Sequence, residues 1–281
     1  MKVISRLADR RPLLFVVATL LSWLVAGAAI VLVAAYLFQK PITDSLIQLT
    51  GTFGATLIIL FLTSRLGWIK KIGISNFGEW TIWLLVVIIG CYLVFSGFYS
   101  FFGQITFDFA TLFDTQEARA ILLRQPITGF VEETIFRGII LYALYRVWGQ
   151  TKRGVVAAVI VQAALFGALH SLQVLAGVTL ETALSNILHT FVFGIWLGIM
   201  VINVGTIWPA IVLHALSNSF ILIKGLNSPW IDPVSLGFFR ATLFELPLIF
   251  LEVYMFIKKP PAFFPAAPNL AKRSSPPNLS V

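Results

Sequence analysis

Cysteine is all but missing from this 281-residue chain: a lone Cys91 can form neither an intramolecular disulfide nor a thiolate metal cluster, which removes redox chemistry and Cys-based zinc sites. Charge is scarce too. Only 11% of the residues are Asp, Glu, Lys or Arg, against about a quarter in an ordinary soluble domain. Histidine occurs three times, and no internal repeat is evident. Apolar residues fill the space: 58% hydrophobic residues and a mean hydropathy of +0.92 leave too much apolar surface for one water-soluble core. A soluble enzyme and a DNA-binding module are excluded. Any chemistry must rest on His and carboxylates.

A helix crossing the bilayer core needs about 20 apolar residues. By that measure the sequence predicts an all-α polytopic membrane helix bundle with about eight transmembrane helices, at roughly 13–38, 46–64, 80–102, 127–148, 154–171, 183–203, 207–223 and 236–257. The first run follows Lys2, Arg6, Arg10 and Arg11 as in a signal peptide, but it far exceeds the roughly 7 to 15 apolar residues of such a segment. Residues 108–125 mix Leu112, Phe113, Ala120, Ile121 and Leu122 with Asp114, Glu117, Arg119 and Arg124, so they are expected to lie in the interface and enter the fourth span at Pro126. Residues 1–259 form one membrane domain. The Pro- and Ser-rich tail 260–281 cannot pack a core and is expected to be disordered.

Lysine and arginine stay on the cytoplasmic side. An inward N-terminus with eight crossings puts fourteen of the twenty inside, Arg65, Lys70, Lys71, Arg146, Lys152 and Arg153 among them, and five outside: Lys40, Arg119, Arg124, Lys224 and Arg240. The remaining one, Arg137, lies within a span. This predicts N-in, C-in, and explains the net charge of +8 by topology and anionic lipid rather than nucleic acid.

Ionisable groups inside spans are the informative ones, since each costs about 2.5 to 3.5 kcal/mol at a helix centre. The fourth span holds Glu132, Glu133 and Arg137. Unpaired, they would cost roughly 7 to 10 kcal/mol together, so they must be paired. At helical spacing Glu133 and Arg137 are i and i+4 on one face, while Glu132 points about 100° away and is left free for chemistry. All three histidines also fall in apolar spans. His170 follows Phe166 by one turn, and His214 precedes Asn218 by one turn. Such a set can polarise a water, with Glu132 as general base or through a divalent metal such as zinc held by Glu132, His170 and His214. Asn218, or His214 as imidazolium, would stabilise an oxyanion. His189 lies outside these pairs, with Asn186 as its helical neighbour, and is expected to make an interhelical hydrogen bond.

Together Glu132-Glu133-Thr134-Ile135-Phe136-Arg137, Phe166-Gly167-Ala168-Leu169-His170 and His214-Ala215-Leu216-Ser217-Asn218 resemble the motifs of the CPBP family, the type II CAAX prenyl endopeptidases and the bacteriocin-processing or abortive-infection proteins. The run from Phe191 through Gly194 and Gly198 to Gly205 and His214 is similar as well, and the likeness spans roughly 125–224. It implies an intramembrane (metallo)endopeptidase of a bacterial plasma or inner membrane, acting on a membrane-associated protein or peptide. Glu132 would activate water, His170 and His214 would bind or polarise it, and Asn218 would steady the oxyanion. Glu133, Arg137 and Phe166 would support them.

With an inward N-terminus, Glu132 lies about six residues, or roughly 9 Å, from the outer end of its span. An outward-half site disfavours a prenylated CAAX tail as substrate. Two rival readings are a non-catalytic immunity or scaffold protein that keeps the polar core for stability, and a proton-coupled transporter. The missing inverted repeat speaks against the transporter.

Overall fold

The computed structural model describes residues 2–99, 116–227 and 245–258, and among them every regular element is helical. In chain order these are α1 (Lys2–Arg10), α2 (Pro12–Phe38), α3 (Ser45–Arg65), α4 (Trp80–Tyr99), α5 (Gln116–Glu133), α6 (Leu141–Trp148), α7 (Lys152–Leu169), α8 (Leu180–Val204), α9 (Trp208–Asn227) and α10 (Leu246–Lys258). A π-helical segment, Thr134–Ile140, joins α5 to α6, and a 3-10 turn, His170–Ala176, prolongs α7.

Four helices among the described residues are long and apolar enough to cross a membrane: Pro12–Phe38, Ser45–Arg65, Lys152–Ala176 and Leu180–Val204, with Trp80–Cys91 a shorter apolar helix. The expected fourth span departs from its predicted start. Helix α5 is already formed at Gln116 and runs through Pro126, which removes one backbone donor without ending it. Part of the segment expected at the interface is therefore the first half of this helix, while 108–115 and the tail 260–281 lie outside the described residues.

Local chemistry sets the helix ends. The Asp44 carboxylate accepts from Leu46 N at 2.9 Å and Ile47 N at 3.2 Å to cap α3, and Thr151 Oγ1 accepts from Gly154 N at 3.0 Å to cap α7. Gly205, at φ 79°, stops α8 in the left-handed conformation that glycine adopts without steric cost, and turns the chain into α9.

Small residues bring the site-bearing helices together, as expected where lipid supplies no hydrophobic drive between helices. A Cβ on Gly129 of α5 would stand 2.9 Å from Ile211 O of α9, and one on Gly194 of α8 would stand 3.0 Å from Ala163 Cβ of α7. The connection between α3 and α4 turns inward. Trp68 and Ile72 are buried, and Thr206 Oγ1 donates to Gly73 O at 3.0 Å, while Trp208 Nε1 donates to Ile74 O at 3.0 Å. An Arg146–Asp9 ion pair ties α6 to the amphipathic α1. The π segment is wholly buried at the centre of this packing.

Gly129→Ala is expected to push α9 away from α5, because its new neighbour is backbone. A loss of about 1 to 3 kcal/mol, the usual range for overpacking, should appear as earlier denaturant-induced unfolding of the purified protein in detergent micelles.

Candidate active site

The i, i+4 pair expected on the fourth span is formed. Arg137 Nη1 donates to Glu133 Oε1 at 2.8 Å, both side chains are completely buried, and the guanidinium carbon lies 4.4 Å above the centroid of the Phe166 ring. The π segment begins directly after Glu133, and its wider turn is closed by Leu141 N–H donating to Phe136 O. Segments of this kind recur at functional sites, where one extra residue re-aims the side chains that follow.

The same Glu133 oxygen serves a second partner. His214 Nδ1 lies 2.6 Å from Glu133 Oε1, and since a carboxylate only accepts, Nδ1 carries the proton. That leaves Nε2 facing Glu132 Oε2 at 3.6 Å. This is too long for a direct hydrogen bond, yet one water can touch both atoms. The two glutamates differ sharply in access: the Glu132 side chain is 24% exposed and that of Glu133 is 0% exposed. The role expected for Glu133 therefore widens. It holds Arg137 and also fixes the His214 tautomer.

His170 shows the same tautomer. Its Nδ1 lies 2.9 Å from Phe166 O, which can only accept, so Nε2 of the neutral ring is bare. Both imidazoles stand edge-on to the Phe166 ring, His170 at 5.0 Å and His214 at 6.0 Å between centroids. His170 is also within electrostatic reach of Glu132, His214 and His189. Phe166 is thus the spacer between the two histidines. Asn218 sits half-buried one turn beyond His214 on α9.

A metal would take Nε2 of each histidine while Nδ1–H donates to a carboxylate or carbonyl, which is the orientation both rings have. Among the described residues no three His, Cys, Asp or Glu side chains are grouped closely enough to hold an ion. The arrangement places a partly accessible carboxylate, Glu132, beside the His214 imidazole and within electrostatic reach of His170.

Two features were not foreseen. His189 pairs not with Asn186 but with Glu245, its Nε2 lying 2.8 Å from Glu245 Oε1, within ion-pair range though off the line of a hydrogen bond. Asn186 instead donates from Nδ2 to Gln173 Oε1 at 2.8 Å. Phe193 packs edge-on to His214 at 5.4 Å between centroids, opposite in role to Phe166. Glu245 was detectable by the rule that singled out Glu132, because it is a carboxylate in an apolar run.

Residues 115–220 match the family described as Type II CAAX prenyl endopeptidase Rce1-like. Over that stretch the chain is similar to this family. The match covers α5 to α8 and the part of α9 that carries His214 and Asn218, so every side chain of the Glu132, Glu133, His170 and His214 arrangement falls within the matched segment. No curated protein and no solved structure matches the chain.

Removing Arg137 leaves Glu133 as a buried charge with His214 as its one remaining partner. Arg137→Met is expected to cost about 3 to 5 kcal/mol, the range for breaking a buried pair. Arg137→Met combined with Glu133→Gln should be less unstable than that single variant. Unfolding curves in detergent for the two single variants and the double variant measure this coupling.

Proposed function

We propose that the protein is an intramembrane endopeptidase that hydrolyses a peptide bond of a membrane-associated protein or peptide through a water activated by Glu132. The observation that carries this reading is the seating of His214, with Nδ1–H fixed by the buried Glu133 and Nε2 turned to the more accessible Glu132 at 3.6 Å. A water in contact with both atoms loses its proton to Glu132 as its oxygen attacks the scissile carbonyl. The carbonyl oxygen becomes an oxyanion, for which the Asn218 amide, one turn beyond His214 on α9, is the candidate donor. Protonated Glu132 then returns the proton to the leaving amine, the C–N bond breaks, and the carboxylate is restored. The two hydrogens of that water face Glu132 and His214 Nε2, so the bare Nε2 of His170 is left to accept from a donor on the substrate.

The eight-span, N-in, C-in arrangement belongs to this reading. It is supported by contacts between segments assigned to one side: Arg146 with Asp9, Thr206 with Gly73, and Trp208 with Ile74. In that arrangement Glu132 and His170 lie in the outward half of the membrane. The substrate is then a membrane-associated chain cut from that side rather than a cytoplasmic prenylated CAAX tail.

Glu132→Gln keeps size and hydrogen-bonding reach but cannot take up the proton. It should lower peptide release by about 10²- to 10⁴-fold, the usual worth of a general base, while the variant inserts and unfolds like the parent. Unchanged release would end the reading. Activity that survives a strong zinc chelator supports the route through water and Glu132. Activity lost to the chelator and restored by zinc would instead make Glu132, His170 and His214 its ligands.

A further inference from the structure

Helix α10 packs on α8 through two carboxylates seven residues apart on one face. Glu245, 3% exposed, meets His189, and Glu252, 1% exposed, accepts at Oε2 from Asn203 Nδ2 at 2.5 Å. Leu248 lies buried between them, whereas Phe250, Tyr254 and Ile257 on the other side are exposed. Two buried carboxylates are more than a lipid-facing helix needs for packing, since each costs free energy to bring out of water. Their partners differ in what lies behind them. His189 stacks on Phe193 at 5.8 Å with ring planes 22° apart, and Phe193 in turn stands edge-on to His214 at 5.4 Å. Behind Asn203 no such route leads to the histidines among the described residues.

We propose that His189 and Glu245 are positioning residues of the site: Glu245 holds the His189 ring, which holds Phe193, and Phe193 packs edge-on against the His214 imidazole, as Phe166 also does. The idea rests on the peptidase reading for its effect on rate, but its geometry stands apart from that reading. His214 has its Nδ1 fixed by Glu133 and its ring pressed by two edge-on aromatics. A ring held by two aromatic contacts keeps Nε2 aimed at Glu132, and loss of one contact lets it turn about its side-chain bonds. His189 does not touch the reacting atoms in this account. It acts through Phe193.

The chain's three histidines make the test direct, because ring-labelled histidine gives three sets of imidazole resonances, each assigned by a single substitution. In detergent, Glu245→Gln and His189→Gln should both move the His214 resonances. In a Phe193→Leu background, Glu245→Gln should move His189 but no longer His214. Glu252→Gln, which loosens α10 to a similar degree from its inner end, should leave His214 where it was. Peptide release should follow the same order: kcat falls roughly 10-fold for Glu245→Gln, at the low end for outer-shell partners of a functional imidazole, while KM and Glu252→Gln activity stay near the parent's. His214 resonances that ignore Glu245→Gln, or that move equally for Glu252→Gln, would reduce the pair to an anchor for α10 and overturn the proposal. Absence of peptide release from the parent protein would instead count against the peptidase reading, and the resonances would still decide the positioning.

Discussion

One oxygen of one fully buried carboxylate organises the centre of this protein. Glu133 Oε1 accepts from Arg137 on its own helical run and from His214 on α9, so it joins two helices whose other polar approach at the site is that of Glu132 Oε2 to His214 Nε2 at 3.6 Å. The network is costly and incompletely satisfied. Glu133 Oε2 and the Nε and Nη2 atoms of Arg137 are buried without a hydrogen-bond partner among the described residues. A half-paired group of this kind in a low-dielectric interior adds less to stability than well-packed apolar residues would. Its persistence in a chain with so few charges is therefore better explained by what it orients than by what it stabilises. The close approach at Gly129 and the π turn after Glu133 are the backbone means by which that oxygen reaches both partners.

Much of this was legible in the sequence because the membrane penalises polar groups one at a time. Glu132, Glu133, Arg137, His170 and His214 stood out as exceptions in apolar runs, and helical spacing alone gave the Glu133–Arg137 pair. Spacing could not show that His214 would share the same oxygen, since the separation of α5 and α9 depends on glycine contacts formed only in three dimensions. The π segment was invisible for a similar reason: nothing in Thr134–Ile140 departs from ordinary helical composition. The boundary at Pro126 was misplaced because proline was read as a helix start, whereas the helix had begun ten residues earlier. Glu245 and Glu252 were overlooked although they broke the same rule as the fourth-span residues. Their span was treated as an apolar closing helix, and the partners that give them meaning, His189 and Asn203, both lie on α8.

Adjacent residues of identical chemistry end up with different tasks here, and the difference is set by exposure. Glu133 is sealed between Arg137 and His214 with no exposed surface, so its Oε2, though without a partner, is out of reach of a third group from solvent. Glu132, one residue earlier, is rotated by about 100° of helix and keeps a quarter of its side chain accessible, with His214 Nε2 near but not bonded. A general base needs just this: a free lone pair, a neighbour that orients the water, and access for the water itself. Neither glutamate could exchange roles with the other. Moving the base to position 133 would bury it beyond reach, and moving the anchor to position 132 would leave Arg137 facing an empty side of its helix. On the proposed reading, two carboxylates in sequence are thus the shortest way for a single helix to supply both an anchor for the neighbouring imidazole and a base for a water beside it.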